Sequence, residues 1–269
     1  MPVTLCAMNG EPMPEHRYDE QFQELQDDVI RLAALTCEAI AAGTNALLDF
    51  DFSVADQVVA DDRAIDQLTV DAETKAYRLL ALQQPMGRDL RVVLAIMRIL
   101  QEIELAADLM VAVAKAARRI YPGELPPRVR GIVDRMGQQA STQFRAAVDA
   151  FADRDLARAA ALEDMDDVMD DLQRELLREI LTGGAPDEAA LQMAVELGLI
   201  GRYYERVADH AVDVADWTTF MITGDVPQPP WEPEDGGIEA VFATAAHAVE
   251  REMTVAPHEA AAAVESQEP

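Results

Sequence analysis

Residues 202–216 read RYYERVADHAVDVAD, in which Glu205, Asp209 and Asp213 follow one another at four-residue spacing. On an α-helix this spacing stacks carboxylates on one face, one turn apart, and such a column either faces water or holds something positive. Taken alone the stretch reads as a solvated face, because at about 100° per residue all its charges fall within an arc of roughly 140°. Acids at the same spacing recur elsewhere: Glu104 and Asp108 in ELAAD, Asp62 and Asp66 in DDRAID, Asp166 and Asp170 in DDVMD. If helices carrying these pairs pack face to face, four carboxylates converge. An oxygen-only cluster of that kind suits hard or borderline cations such as Mg, Ca, Mn or Fe, because four like charges repel strongly without one.

Internal repetition narrows the candidates. Residues 65–68, Ile-Asp-Gln-Leu, correspond to residues 169–172, Met-Asp-Asp-Leu, and ELAAD at 104–108 corresponds to ERVAD at 205–209. Two segments with nearly one offset indicate a duplication. Carried back, Arg202 becomes Gln101, Arg206 becomes Leu105, His210 becomes Leu109, Asp213 becomes Ala112 and Asp216 becomes Lys115; only the Glu and the Asp survive, as Glu104 and Asp108. From Ile99 to Ala114 the chain is apolar on nearly every side, with Glu102, Glu104 and Asp108 its only charges. Such a helix is buried, and a buried carboxylate costs several kcal/mol unless a cation or donors compensate it. Glu205 and Asp209 are therefore the expected site in the second repeat, while Asp213, Asp216 and the arginines are assigned to solvent or to a partner. His210 is expected in a part-exposed capping or stacking role rather than as a ligand, and Tyr203 and Tyr204 as packing residues.

The elements that must position these groups follow from periodicity and punctuation. Apolar spacing of three and four residues runs from near Tyr18 to Leu48, then from about Ser53, as N-cap, to Leu82, and from about Met86, after Pro85, to Ile120. YPGELPP, residues 121–127, is the strongest break. Three more helices follow, at about Arg128 to Phe151, Asp155 to Leu181 and Glu188 to Met221. Helices of around 30 residues extend roughly 45 Å, and short connections make consecutive ones antiparallel neighbours. The expected fold is all-α: two tandem three-helix bundles, residues 17–121 and 122–224, with a disordered leader over 1–16. An acidic Pro/Ala-rich linker and tail covers 225–269, and within it 238–253 has the apolar spacing of a short helix.

Composition sets the class. The chain has 269 residues, half of them apolar, and a formal net charge of −28, which opposes nucleic-acid binding and favours cations or basic patches on protein partners. No apolar run reaches the roughly 18 residues needed to span a bilayer. Cys6 and Cys37 form no CxxC pair, so neither a disulfide framework nor a thiolate zinc site is expected, which suits a reducing cytosol. The N-terminus lacks the basic start and apolar stretch of a signal peptide. There is no P-loop, no GxSxG and no Glu-x-x-His pair of the di-iron kind, so no catalytic constellation is legible.

These segments together resemble the PhoU family of phosphate-signalling proteins. The resemblance rests on LLALQQPMGRDLRVVLAIMRIL at residues 79–100, on ELAAD, and above all on YYERVADHAVDVAD. It implies a cytoplasmic, non-enzymatic homodimer that links a phosphate ABC transporter ATPase to a sensor histidine kinase and damps the phosphate-starvation response. It also implies metal ions (Fe, Mn, Mg, Zn or Ca) held by Asp62, Asp66, Glu104 and Asp108 in the first repeat and by Asp166, Asp170, Glu205 and Asp209 in the second. The family's Glu-Arg opening survives as Glu205-Arg206, whereas the first repeat has Glu104-Leu105, a departure that weakens the expectation for the first cluster. The alternative from another class is a metal-dependent carboxylate-bundle enzyme or metal store.

Overall fold

A computed structural model of the chain describes residues 15–184 and 187–227. The N-terminal leader up to residue 14, the tail from 228 and the short helix expected at 238–253 lie outside the described residues. Six helices account for nearly all of the rest: α1 (Glu15–Asp49), α2 (Phe52–Gln83), α3 (Arg88–Ile120), α4 (Pro127–Asp153), α5 (Leu156–Gly183) and α6 (Glu188–Thr223). The fold is all-α, as the sequence indicated.

The helix ends show local chemistry that periodicity reads only approximately. α1 starts three residues before Tyr18. α2 is capped by Asp51 rather than Ser53: the carboxylate of Asp51 accepts from the backbone N–H groups of Ser53, at 2.9 Å, and Val54, at 3.1 Å. An anionic cap satisfies two otherwise free donors and also complements the positive end of the helix dipole. Asp155 caps α5 in the same way, bonding Ala157 N at 3.0 Å and Arg158 N at 3.1 Å, so the duplication extends to the cap. α3 begins at Arg88 instead of Met86 because Gly87, at φ 57°, stands in the left-handed region and interrupts the helical path after Pro85.

Each repeat folds as three helices, and the two bundles share a seam. α3 packs against α1, α2 and α6, and α6 against α3, α4 and α5, while α1 also touches α4. α2 and α5 thus lie on the outside of their own repeats. Burial follows: α3 hides Val92, Ile96, Ile99, Ile103, Met110 and eleven further residues, whereas α5 hides only six. Ala106, Ala107 and Ala117 on α3, with Ala208, Ala211 and Ala215 on α6, are buried in the main core and keep side chains short there.

A hydroxyl–hydroxyl contact crosses between repeats inside this core. Thr44 Oγ1 of α1 donates to the Ile40 carbonyl at 2.7 Å, which leaves it to accept from the Tyr204 hydroxyl of α6 at 2.8 Å. Tyr204 is fully buried. Gly137 of α4 makes the room, since a Cβ there would overlap the Thr44 side chain. Thr44→Val leaves the Tyr204 hydroxyl without an acceptor, a loss expected to cost about 1–3 kcal/mol. In urea titrations the midpoint should fall with unchanged slope, and adding Tyr204→Phe should restore part of the loss.

Candidate functional site

The acidic pairs on α5 and α6 meet. Glu205 is largely enclosed, its side chain 12% exposed, and is paired with Arg202 one turn back. Loss of water is the main reason its carboxyl is pushed up to about 7, with the neighbouring charges of Asp209, Asp170 and Asp166 adding and Arg202 opposing. Burial likewise raises Asp166 to about 6, against a hydrogen bond from Gln143 and with repulsion from Asp209, Asp170 and Asp167. Asp209 is raised by burial even though Arg202, His210 and Arg206 favour its charge. The structure therefore brings Asp166, Asp170, Glu205 and Asp209 into one electrostatic neighbourhood.

The acids of α2 and α3 form the corresponding group in the first repeat, in a wetter place. Burial and the charges of Asp66 and Asp108 push Asp62 up to about 6, with Lys115 opposing. Glu104 is raised by burial and by Asp108, Asp66 and Asp62. Asp66 and Asp108 themselves are exposed. Among the described residues, no three of these eight carboxylates present ligand oxygens within 4.8 Å of one another.

Gln143 of α4 belongs to the second group, and sequence reasoning passed over it. It is fully buried, and its Nε2 donates to Asp166 Oδ1 at 3.0 Å and to the Ala208 carbonyl at 3.3 Å. Its Oε1 and Glu205 Oε2 are buried acceptors with no partner. A signal existed: Gln143 interrupts the apolar series Val133, Met136, Ala140, Ala147 and Ala150, where a polar side chain needs partners.

Three expectations about α6 are corrected. His210 is not part-exposed but 5% exposed, with Nδ1 2.8 Å from Glu102 Oε2 on α3. Asp213 is half-buried rather than solvated, and burial, with the charges of Glu102, Asp216 and Asp209 outweighing His210, pushes it up to about 6. Asp216 is also half-buried, and burial and Glu163 raise its carboxyl. The reason is tertiary: with α3, α4 and α5 all against it, α6 has little free face to give water. Arg202 and Arg206 do remain exposed.

Six helices in two three-helix repeats, each presenting acids from its second and third helix to one another, define a duplicated helical-bundle protein with paired carboxylate clusters. A model of the PhoU domain matches residues 29–117 and 133–218, one copy per repeat. The chain belongs to the PhoU family. It is 36% identical over 212 residues to the phosphate-specific transport system accessory protein PhoU homolog 1 of Mycobacterium leprae, covering 78% of this chain and 95% of that one. The PhoU homolog of Caulobacter vibrioides is 29% identical over 79% of this chain and 94% of its own. Among solved structures, PhoU from Pseudomonas aeruginosa superposes with a TM-score of 0.73 at 26% identity, over 77% of this chain and all of that one. The phosphate transport system regulatory protein PhoU from Streptococcus pneumoniae gives 0.72 at 25% identity, over 79% of this chain and all of that one.

The raised carboxyls fix the sign of a pH effect. Glu205, Asp166 and Asp62 hold protons more tightly in the folded state than in the unfolded chain, so folding takes up protons between the ordinary carboxyl range near 4 and the folded values of about 6 to 7. Stability contributed by these groups is present at the acid end of that window and is lost as pH rises through it. In metal-free protein the melting temperature should therefore fall between pH 5 and 8 at constant ionic strength, and Glu205→Gln should flatten the slope and raise the midpoint at pH 8.

Proposed function

We propose that this protein is a non-enzymatic regulator of phosphate uptake that works in the cytoplasm. In this reading it couples a phosphate ABC transporter, through its ATPase, to a sensor histidine kinase, acts as a homodimer and holds down the phosphate-starvation response. The observation that carries the reading is the match of both repeats to the PhoU domain, together with relatives named as accessory proteins of phosphate-specific transport over nearly their whole length. The charge supports it: at −28 the protein favours basic patches on protein partners over nucleic acid. No helix of the described residues is long and apolar enough to cross a membrane, which suits an adaptor that reaches membrane complexes through protein contacts.

Metal ions fit the second cluster. Its donors are all oxygens, and Gln143 Oε1 and Glu205 Oε2 are buried without partners, so an ion would draw together acids that now stand farther apart than a shared ion requires. Asp166, Asp170, Glu205 and Asp209 would hold a hard or borderline cation that keeps part of its water, and Asp62, Asp66, Glu104 and Asp108 a more exposed counterpart. The cation would supply positive charge, offsetting the burial and mutual repulsion that raise these carboxyls and stiffening the packing of α5 on α6.

Deleting the gene in its native host and restoring it in trans tests the regulatory reading. Phosphate-regulated promoters should be derepressed in phosphate excess and repressed again on complementation; full repression in a deletion strain with no second copy of the family would overturn the assignment. For the metal, Mn²⁺ or Mg²⁺ should raise the melting temperature of the native chain, and the shift should shrink in Glu205→Gln/Asp209→Asn. An unchanged shift in that variant would remove these two residues from the ligand set.

A further inference from the structure

The acids that the duplication highlights share their neighbourhood with a group of different chemistry. Glu102 of α3 and His210 and Asp213 of α6 offer one ring nitrogen and two carboxylate oxygens that all lie within 4.8 Å of one another. It is the single group of metal-ligating side chains gathered this closely among the described residues. It sits where the two repeats meet, since α3 closes the first and α6 the second.

Three features separate this group from an ordinary acidic surface. His210 is held inside the seam, and its ring is fixed by the 2.8 Å contact of Nδ1 with Glu102 Oε2. Glu102 and Asp213 are both half-buried, and among the described residues neither forms an ion pair with a lysine or arginine, so one imidazole faces two carboxylates. The set also has no copy: the first-repeat counterparts of His210 and Asp213 are Leu109 and Ala112, and the second-repeat counterpart of Glu102 is Tyr203. It is thus built once, across the seam, and does not follow from the paired carboxylates repeated in each half.

We propose that Glu102, His210 and Asp213 form a mixed nitrogen and oxygen site for one borderline divalent transition-metal ion, bound between the two repeats. Two carboxylates and a neutral imidazole balance the charge of a dication, and a nitrogen donor shifts preference from Mg and Ca toward Zn and its neighbours. Zn–N and Zn–O bonds of about 2.0–2.2 Å place tetrahedral ligands roughly 3.3–3.5 Å apart. The ligand atoms, already within 4.8 Å of one another, need move only about an ångström to reach that spacing. A ligating nitrogen must be unprotonated, so the ring binds in its neutral form with its one proton on the other nitrogen. With ligands on α3 and α6, the ion ties one repeat to the other, and the fourth position is left to water or to a partner's side chain.

The test uses the full untagged chain carrying Asp62→Asn, Asp66→Asn, Glu104→Gln, Asp108→Asn, Asp166→Asn, Asp170→Asn, Glu205→Gln and Asp209→Asn, which removes all eight repeated acids and makes the result independent of the metal reading given for them. Equilibrium dialysis with Zn²⁺ should find one ion per chain, and X-ray absorption at the Zn edge should show one imidazole in its shell. His210→Gln, Asp213→Asn and Glu102→Gln, each added to that background, should weaken binding at least tenfold. His210 is buried, so Asp213→Asn and Glu102→Gln decide the matter if His210→Gln does not fold, with circular dichroism confirming their helical content. Absence of bound Zn²⁺ in the background chain, an all-oxygen shell, or undiminished binding by Asp213→Asn would each overturn the proposal and leave a histidine–carboxylate pair only.

Discussion

Negative charge held out of water along α6 is the constraint from which the character of the site follows. Glu205, Asp209, Asp213 and Asp216 all lie on that one helix, all lose solvent, and all have raised carboxyls with burial as the first cause. A solvated acidic stripe would carry almost no such penalty, because water screens like charges at helical spacing. Here α3, α4 and α5 crowd the helix, so each acid must share a proton, an arginine, a histidine or a cation. Arg202 for Glu205, Gln143 for Asp166 and His210 against Glu102 are the protein's own answers, and they leave Gln143 Oε1 and Glu205 Oε2 unmet.

The scaffold that imposes this burial is apolar and closely packed. Alanines of α3 and α6 are buried in the core, and Tyr204, Thr44 and Gly137 interlock three helices from both repeats around one hydrogen bond. The bundles therefore cannot slide past one another without breaking a buried polar contact. Stability built into the seam allows the acids to remain in an unfavourable place, since the surrounding packing outweighs their local cost. Bridges such as Arg119 to Glu196 at 2.8 Å and Arg130 to Asp49 at 2.7 Å join α3 to α6 and α4 to α1, and of these the Arg130–Asp49 pair is exposed and adds little.

Duplication explains what the repeats share, and its failures show where they differ. The capping aspartates, Asp51 and Asp155, and the acid pairs of the second and third helices recur in both halves. The second cluster is nevertheless the drier one: Asp66 and Asp108 are exposed, whereas Asp170 and Asp209 are half-buried. Gln143 further distinguishes the second cluster, for the buried amide reaches Asp166 from α4.

Much of this was legible before any coordinates. Spacing and breaks marked the six helices to within a few residues, because a 3.6-residue period and Pro or Gly punctuation are properties of the local chain. Comparison of the two repeats singled out Glu104, Asp108, Glu205 and Asp209 as carboxylates expected to lose solvent; Glu104, Glu205 and Asp209 do, whereas Asp108 stays exposed. What the sequence could not determine was how many neighbours each helix would have. His210 and Asp213 look solvent-facing on a wheel drawn for α6 alone, and only the packing of α3 across the seam buries them and sets Glu102 against His210. Periodicity describes one helix and its inward face; a second buried face arises when a helix from the other repeat docks there, and that is decided by the tertiary structure.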